Sequence, residues 1–237
     1  MTNCKILGVI PARGGSKGIP KKNLVNLGGK PLIAHTIECA KSAKLLTDFI
    51  ISTDDNEISK VSETFGGKVP FLRPKNLATD SALSTSVIKH ALKKMEEIKN
   101  IKYDYVMMLQ PTSPFRKSTD IDSSIDMIIN SNADSLISVV DVEGNHPFRM
   151  KRITGKNKLV NFIDQGFEDM RSRQELPKVY IRSGTIYLSK RELILNNNSF
   201  VGENCIAYTI PNERSVNIDT ELDLMLAKTL FKSKSIE

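Results

Sequence analysis

The chain has no tryptophan, and aromatic side chains make up only 6% of its 237 residues. It carries no RNA-binding aromatic signature and no dense Lys/Arg block, the two features on which nucleic-acid binders rely. The net charge of +7 is therefore read as a preference for small anionic ligands, with no nucleic-acid partner expected. Long apolar runs are missing too. None approaches the ~20 residues that would cross a bilayer, so no membrane association is expected. The first apolar run is broken at Pro11, which argues against a secretory leader.

Histidine and cysteine are scarce, three of each. His35, His90 and His146 stand alone, so no zinc spacing exists, and structural or exposed roles are expected for them. Cys4, Cys39 and Cys205 are an odd number at unrelated spacings and form no disulfide framework. They read as buried thiols, which suits a reducing cytoplasm. The two commonest phosphate loops are also absent. Gly29-Lys30 is followed by Pro31, and Leu24 stands where a Walker A loop needs its first glycine. Gly14-Gly15-Ser16-Lys17-Gly18 does not satisfy the dinucleotide fingerprint either.

What is present is a strand-like run, Ile6 to Ile10, opening at Pro11 into a loop of glycines and cations: Arg13, Lys17, Lys21 and Lys22. Glycines admit backbone N–H groups to phosphate oxygens, and the cations neutralise their charge. On composition alone the same loop also fits a mobile basic surface segment. Strand and helix signals then alternate. Strands are expected at Lys5–Ile10, Asp48–Ser52, Val69–Leu72, Tyr105–Leu109 and Asp134–Val140. Helices are expected after Pro31, from Asn56 to Phe65, Ser86 to Ile98 and Asp120 to Ile129. This rhythm predicts a three-layer α/β fold with a mainly parallel, doubly wound sheet and a ligand crevice beyond the strand ends.

One domain, residues 1–237, is expected. From about 142 to 178 glycines and prolines break the rhythm, which reads as an excursion carrying Phe148, Met150, Phe162, Phe167 and Met170 toward a partner subunit. Val179–Leu188, interrupted by Ser183-Gly184, and Cys205–Ile210 return as strands. A last helix starts at Thr220, with Leu222, Met225, Leu226 and Leu230 expected to face inward.

Pro11-Ala12-Arg13-Gly14-Gly15-Ser16-Lys17-Gly18-Ile19-Pro20-Lys21-Lys22-Asn23 resembles the signature loop of the acylneuraminate cytidylyltransferases, the CMP-sialic acid synthetases. Leu109-Gln110-Pro111-Thr112-Ser113-Pro114, Arg182-Ser183-Gly184-Thr185-Ile186-Tyr187 and Asn217-Ile218-Asp219-Thr220 match the same family in the same order. The resemblance spans nearly the whole chain. It implies a Rossmann-like nucleotidyltransferase in which a sugar hydroxyl attacks the α-phosphate of CTP and pyrophosphate leaves.

It further implies nucleotide contacts from Ala12, Arg13, Gly14, Gly15, Ser16, Lys17, Asn23, Arg73 and Ser84, and catalytic roles for Arg13, Lys22, Arg173 and Asp219. Gln110, Arg149, Arg173, Tyr187 and Phe200 would face an acidic nine-carbon keto sugar. Arg73 also reads as a surface ion-pair partner, Ser84 as a helix cap and Asp80 as a turn residue; Tyr187 and Phe200 also fit the core. Mg²⁺ or Mn²⁺ is implied at Asp219 and Asn217. The family generally has Asp-Ile-Asp-Thr where this chain has Asn217, so the protein alone should hold the metal more weakly. Ser183 stands where many members have Asn. A homodimer with sites completed by the partner is implied as well. The same reaction on legionaminic, pseudaminic or Kdo sugars is the nearest alternative, and a non-catalytic CTP-binding module is one of a different class.

Overall fold

A computed structural model of the chain describes residues 4–233. In chain order the strands are β1 Ile6–Pro11, β2 Asn26–Leu27, β3 Lys30–Pro31, β4 Asp48–Ser52, β5 Tyr105–Met108, β6 Ser135–Asp141, β7 Lys151–Thr154, β8 Lys158–Asn161, β9 Tyr180–Lys190 and β10 Cys205–Thr209. The helices are α1 Leu32–Ser42, α2 Asn56–Thr64, α3 Ser84–Lys99, α4 Ser118–Ser131 and α5 Glu221–Lys232.

Six strands form the central sheet in the order β10-β6-β9-β5-β1-β4. β1 pairs in parallel with β4 and β5, and β10 in parallel with β6. β9 runs antiparallel to both of its neighbours, so the sheet is mainly but not wholly parallel. Alternation along β1 sends Ile6 and Ile10 into one core and Leu7 and Val9 into the other. The first core holds Ile33 and Ile37 of α1 with Ile121, Ile125 and Ile128 of α4. The second holds Ile88, Ala91, Leu92 and Met95 of α3. Helices thus cover both faces, as the strand–helix rhythm requires.

Several local expectations change. Residues 69–72 make a single bridge, Thr53 to Leu72, and no strand. On α5 the buried residues are Leu224 and Ala227, and Leu230 packs half-buried on the same cluster as expected, whereas Leu222, Met225 and Leu226 are exposed. The helix rests on Ile19, Leu27 and Phe115, and that support selects a stripe rotated from the one with most apolar residues. Cys205 is exposed rather than buried, and Cys4 and Cys39 are half-buried. Residues 142–179 leave the sheet and contain only the β7–β8 hairpin and short turns. No helix among the described residues is long and apolar enough to cross a membrane.

Candidate active site

A cavity of about 420 Å³ lies beyond the carboxyl ends of β1, β4 and β5 and brings together Arg13, Ser16, Lys17, Lys22, Asn23, Arg73, Ser84, Gln110 and Asp219. Its floor is the end of the sheet. The Ala12 N–H donates to the Ser52 carbonyl at 2.9 Å, which extends the β1–β4 ladder by one step and then releases the chain into the glycine loop. That bond occupies the Ala12 amide, so Ala12 sets the direction of the loop and does not offer its N–H to a ligand. The Gly14 N–H is likewise taken, by Asp54 Oδ1 at 3.1 Å. A side chain at Gly14 would meet Asp55 at 2.5 Å, which is why glycine stands there.

Asn23 is buried, and its side-chain amide donates to the Arg13 carbonyl at 3.0 Å. It braces the loop across its own mouth. Gly18 has no Cβ to collide with the backbone carbonyl of Asp219, so the phosphate-type loop packs on the segment at the far end of the chain. There, buried Ile218 donates its N–H to the Thr112 carbonyl at 2.8 Å. Asp223 accepts from the N–H groups of Asp219 and Thr220 at 3.0 and 2.8 Å, and its own N–H donates to the Thr220 hydroxyl. A capping box and one strand-like bond thereby fix Asp219 opposite Lys22, whose ammonium lies 2.8 Å from Asp219 Oδ1.

Arg73 is 6% exposed. Its guanidinium donates to the Ser52 hydroxyl at 3.1 Å, to the Ser52 carbonyl and to the Leu77 carbonyl at 3.5 Å. It is thus no surface ion-pair partner. It pins the segment carrying Thr79, Asp80 and Ser84 to the sheet end. Burial pushes its pKa down to about 10, with Asp54 opposing the shift and Arg13 adding to it. Ser84 is the first residue of α3 and Leu83 occupies the cap position, so Ser84 is not the cap; it lines the cavity.

Gln110 is held from behind by Arg116, which sequence reasoning missed. Arg116 is buried and donates to the Gln110 carbonyl at 2.8 Å, to the Thr185 carbonyl at 2.8 Å and to the Thr36 hydroxyl at 3.2 Å. β9 runs on through Ser183-Gly184 without interruption, and only its register against β6 shifts, between Ile137 and Val139. Gly184 has φ +78°, and a Cβ there would sit 2.9 Å from Gln110 Oε1 and 3.6 Å from Asn217 Oδ1. The gap therefore admits two protein side chains. Asp80 was also missed, because nothing in its local pattern separates it from a turn acid. Its carboxylate receives Arg13 and Lys17, each at 2.6 Å, and the Lys17 ammonium and Arg13 guanidinium hold its carboxyl below the usual range.

Other expected residues lie elsewhere. Phe200 is buried in the α3-side core, packed against Tyr187 with ring centroids 5.5 Å apart; both are apolar packing within one subunit and do not line the cavity. Arg149 donates to the Arg171 carbonyl at 2.8 Å. Arg173 lines a separate cleft of about 290 Å³, 3.8 Å from Glu143. Lys21 pairs with Glu57 at the surface.

The donor set for a metal is sparse. Among the described residues no group of three His, Cys, Asp or Glu could hold an ion. Asp219 already accepts from Lys22 and from the Asn217 side-chain amide. One buried oxygen, Asn217 Oδ1, has no donor. One carboxylate and one amide oxygen fit a hard cation only if a ligand and water supply most of its shell.

A cationic, glycine-bearing loop at the end of a mainly parallel sheet, with one carboxylate facing it, defines an α/β protein built to handle a phosphorylated nucleotide. Residues 7–226 match the cytidylyltransferase family, and the chain belongs to that family, making it a nucleotidyltransferase. It is 33% identical over 228 residues to the pseudaminic acid cytidylyltransferase of Campylobacter jejuni serotype O:2, covering 96% of this chain and 97% of that one. It is 34% identical over 229 residues to the CMP-N,N'-diacetyllegionaminic acid synthase of Legionella pneumophila, covering 96% and 97%. It is 34% identical over 232 residues to the N-acylneuraminate cytidylyltransferase of Escherichia coli O18:K1:H7, covering 98% of this chain and 53% of that one. Among solved structures it resembles CMP:2-keto-3-deoxy-manno-octonic acid synthetase complexed with CTP, with TM-score 0.72, 18% identity and coverage of 97% and 99%, a likeness of fold.

Proposed function

We propose that the chain joins CMP from CTP to a sialic-type nine-carbon keto acid and releases pyrophosphate. The observation that carries this reading is the convergence of Arg13, Lys17, Lys22, Arg73, Gln110 and Asp219 on one cavity, from four separate stretches of sequence. The sugar hydroxyl attacks the α-phosphorus and the bond to the leaving pyrophosphate breaks. Because charge spreads over phosphate oxygens, the protein's task is placement and electrostatics. Arg13 and Lys17 hold the outer phosphates. Lys22 meets charge developing on the leaving group. Arg73 and Ser84 face the base, and Gln110 orients the acceptor. Mg²⁺ or Mn²⁺, held by Asp219 and Asn217, would neutralise triphosphate charge when bound.

In this reading the enzyme is a cytoplasmic homodimer. Its excursion carries Phe162, Phe167 and Met170, which are 58%, 58% and 83% exposed, and such apolar exposure supports burial against a second copy. Arg149 and Arg173, away from the cavity of their own subunit, would then serve the partner's sugar carboxylate. The test mixes CTP and Mg²⁺ with N-acetylneuraminic, legionaminic and pseudaminic acids and Kdo, and measures pyrophosphate. Release with N-acetylneuraminic acid is expected. Release with one of the other sugars alone would reassign the acceptor, and CTP binding without release would favour a sensor.

A further inference from the structure

The Asp80 carboxylate is placed where a phosphate would be useful. Its Oδ1 lies 2.6 Å from Arg13 Nη1 and its Oδ2 2.6 Å from Lys17 Nζ, one oxygen for each cation. That is the two-point bridge an anionic phosphate makes to the same groups. All three residues line the cavity. Asp80 reaches them from the turn after residues 75–77, whose Leu77 carbonyl is tied to Arg73, so the contact joins the glycine loop to the opposite rim. It is also separable: the side chains of Asp80, Arg13 and Lys17 are 46%, 31% and 80% exposed, and solvent screens such pairs.

We propose that Asp80 is a built-in counter-ion that holds Arg13 and Lys17, yields them to a polyphosphate, and takes them back as pyrophosphate leaves. This rests on the cytidylyltransferase reading above. A ligand with two linked phosphates can replace the carboxylate at both cations together, whereas a nucleoside without phosphate competes with it at neither.

The test compares wild type with Asp80→Asn by calorimetric titration of inorganic pyrophosphate, and separately of cytidine, at low ionic strength. Asp80→Asn is expected to bind pyrophosphate roughly three- to tenfold more tightly, the size of one or two screened ion pairs. The gain should shrink as salt is raised, and cytidine affinity should not change. Asp80→Glu, which keeps the charge, should stay close to wild type. Thermal unfolding of each variant checks that the exposed substitution leaves the fold intact.

Unchanged or weaker pyrophosphate binding in Asp80→Asn, an equal gain for cytidine, or no pyrophosphate binding by either protein would each overturn the proposal. Absence of pyrophosphate release from CTP with every sugar would remove the catalytic reading instead, while leaving the binding comparison readable.

Discussion

Lys22→Ala separates catalysis from stability because the structure gives the two effects different sizes. The Lys22 side chain is 17% exposed and its ammonium lies 2.8 Å from Asp219 Oδ1, but the Asp219 side chain is 60% exposed. Water reaches the carboxylate, so losing the pair should cost at most about 1 kcal/mol of stability. For a chain of this size that lowers the melting temperature by roughly 2–4 °C. The reaction asks more of the same cation. Removing one preplaced partner of a developing oxyanion typically lowers kcat by about 10²–10³, or ~2.7–4 kcal/mol. The catalytic loss should therefore exceed the stability loss by about 2 kcal/mol or more, with the KM for the sugar little changed. A pyrophosphate-coupled assay and a thermal melt on the same preparation measure both. A kcat within about threefold of wild type would refute the argument, as would a raised KM at intact kcat, which would mark Lys22 as a contributor to uniform binding.

Asp120 is buried and accepts from Arg214 and from the Tyr208 hydroxyl, each at 3.0 Å. Burial works to raise its pKa, but Arg214, the Lys117 N–H and Tyr208 outweigh it and the net shift is downward. Its stabilising contribution is thus complete above the unfolded value of about 4 and lost as pH falls through the lower folded value. Asp120→Asn should cost about 3–5 kcal/mol at neutral pH and flatten that acid limb; an unchanged melting curve between pH 5 and 2 would refute the assignment. Gly184→Ala forces a Cβ onto a positive-φ residue beside Gln110, costing about 1–2 kcal/mol; it should impair use of the sugar while CTP affinity holds, which separate titrations of the two ligands can contradict. Phe162→Asp on the excursion should turn a dimer into a monomer by light scattering, and a wild-type protein already monomeric at micromolar concentration would end the dimer proposal.

The sheet was legible because its strands are apolar runs stopped by residues that cannot continue them. Asp48–Ser52 has the boundaries read from sequence, and the glycine loop lies at the expected strand end. The direction of β9 was not legible. Nothing in Tyr180–Lys190 records that it inserts antiparallel between β6 and β5, because pairing direction is decided by partners far away in sequence, such as Asp141 and Tyr105. The α5 face failed for a related reason: Leu222, Met225 and Leu226 satisfy helical spacing, but Ile19 and Phe115 determine which stripe is covered. Arg13 and Lys22, which line the cavity, belong to a long motif and could be named. Residues that brace the cavity, Arg116 behind Gln110 and Asp80 beside Arg13 and Lys17, act through contacts distant in sequence and carry no local mark.

Charge pairing explains how so cationic a loop folds against the sheet end. The net +7 counts charges without placing them. In the fold, Arg13 and Lys17 share Asp80, Lys21 meets Glu57, and Lys22 meets Asp219. Each acid comes from a later stretch of chain, so closing the loop and assembling the sheet end are one event. Asn217 completes this balance. Its amide donates to Asp219 Oδ2, which an ionised aspartate could not do; two carboxylates in that contact would repel and require a cation between them. With asparagine at 217 a hydrogen bond replaces that repulsion, and the carboxylate at 219 stays aimed at Lys22.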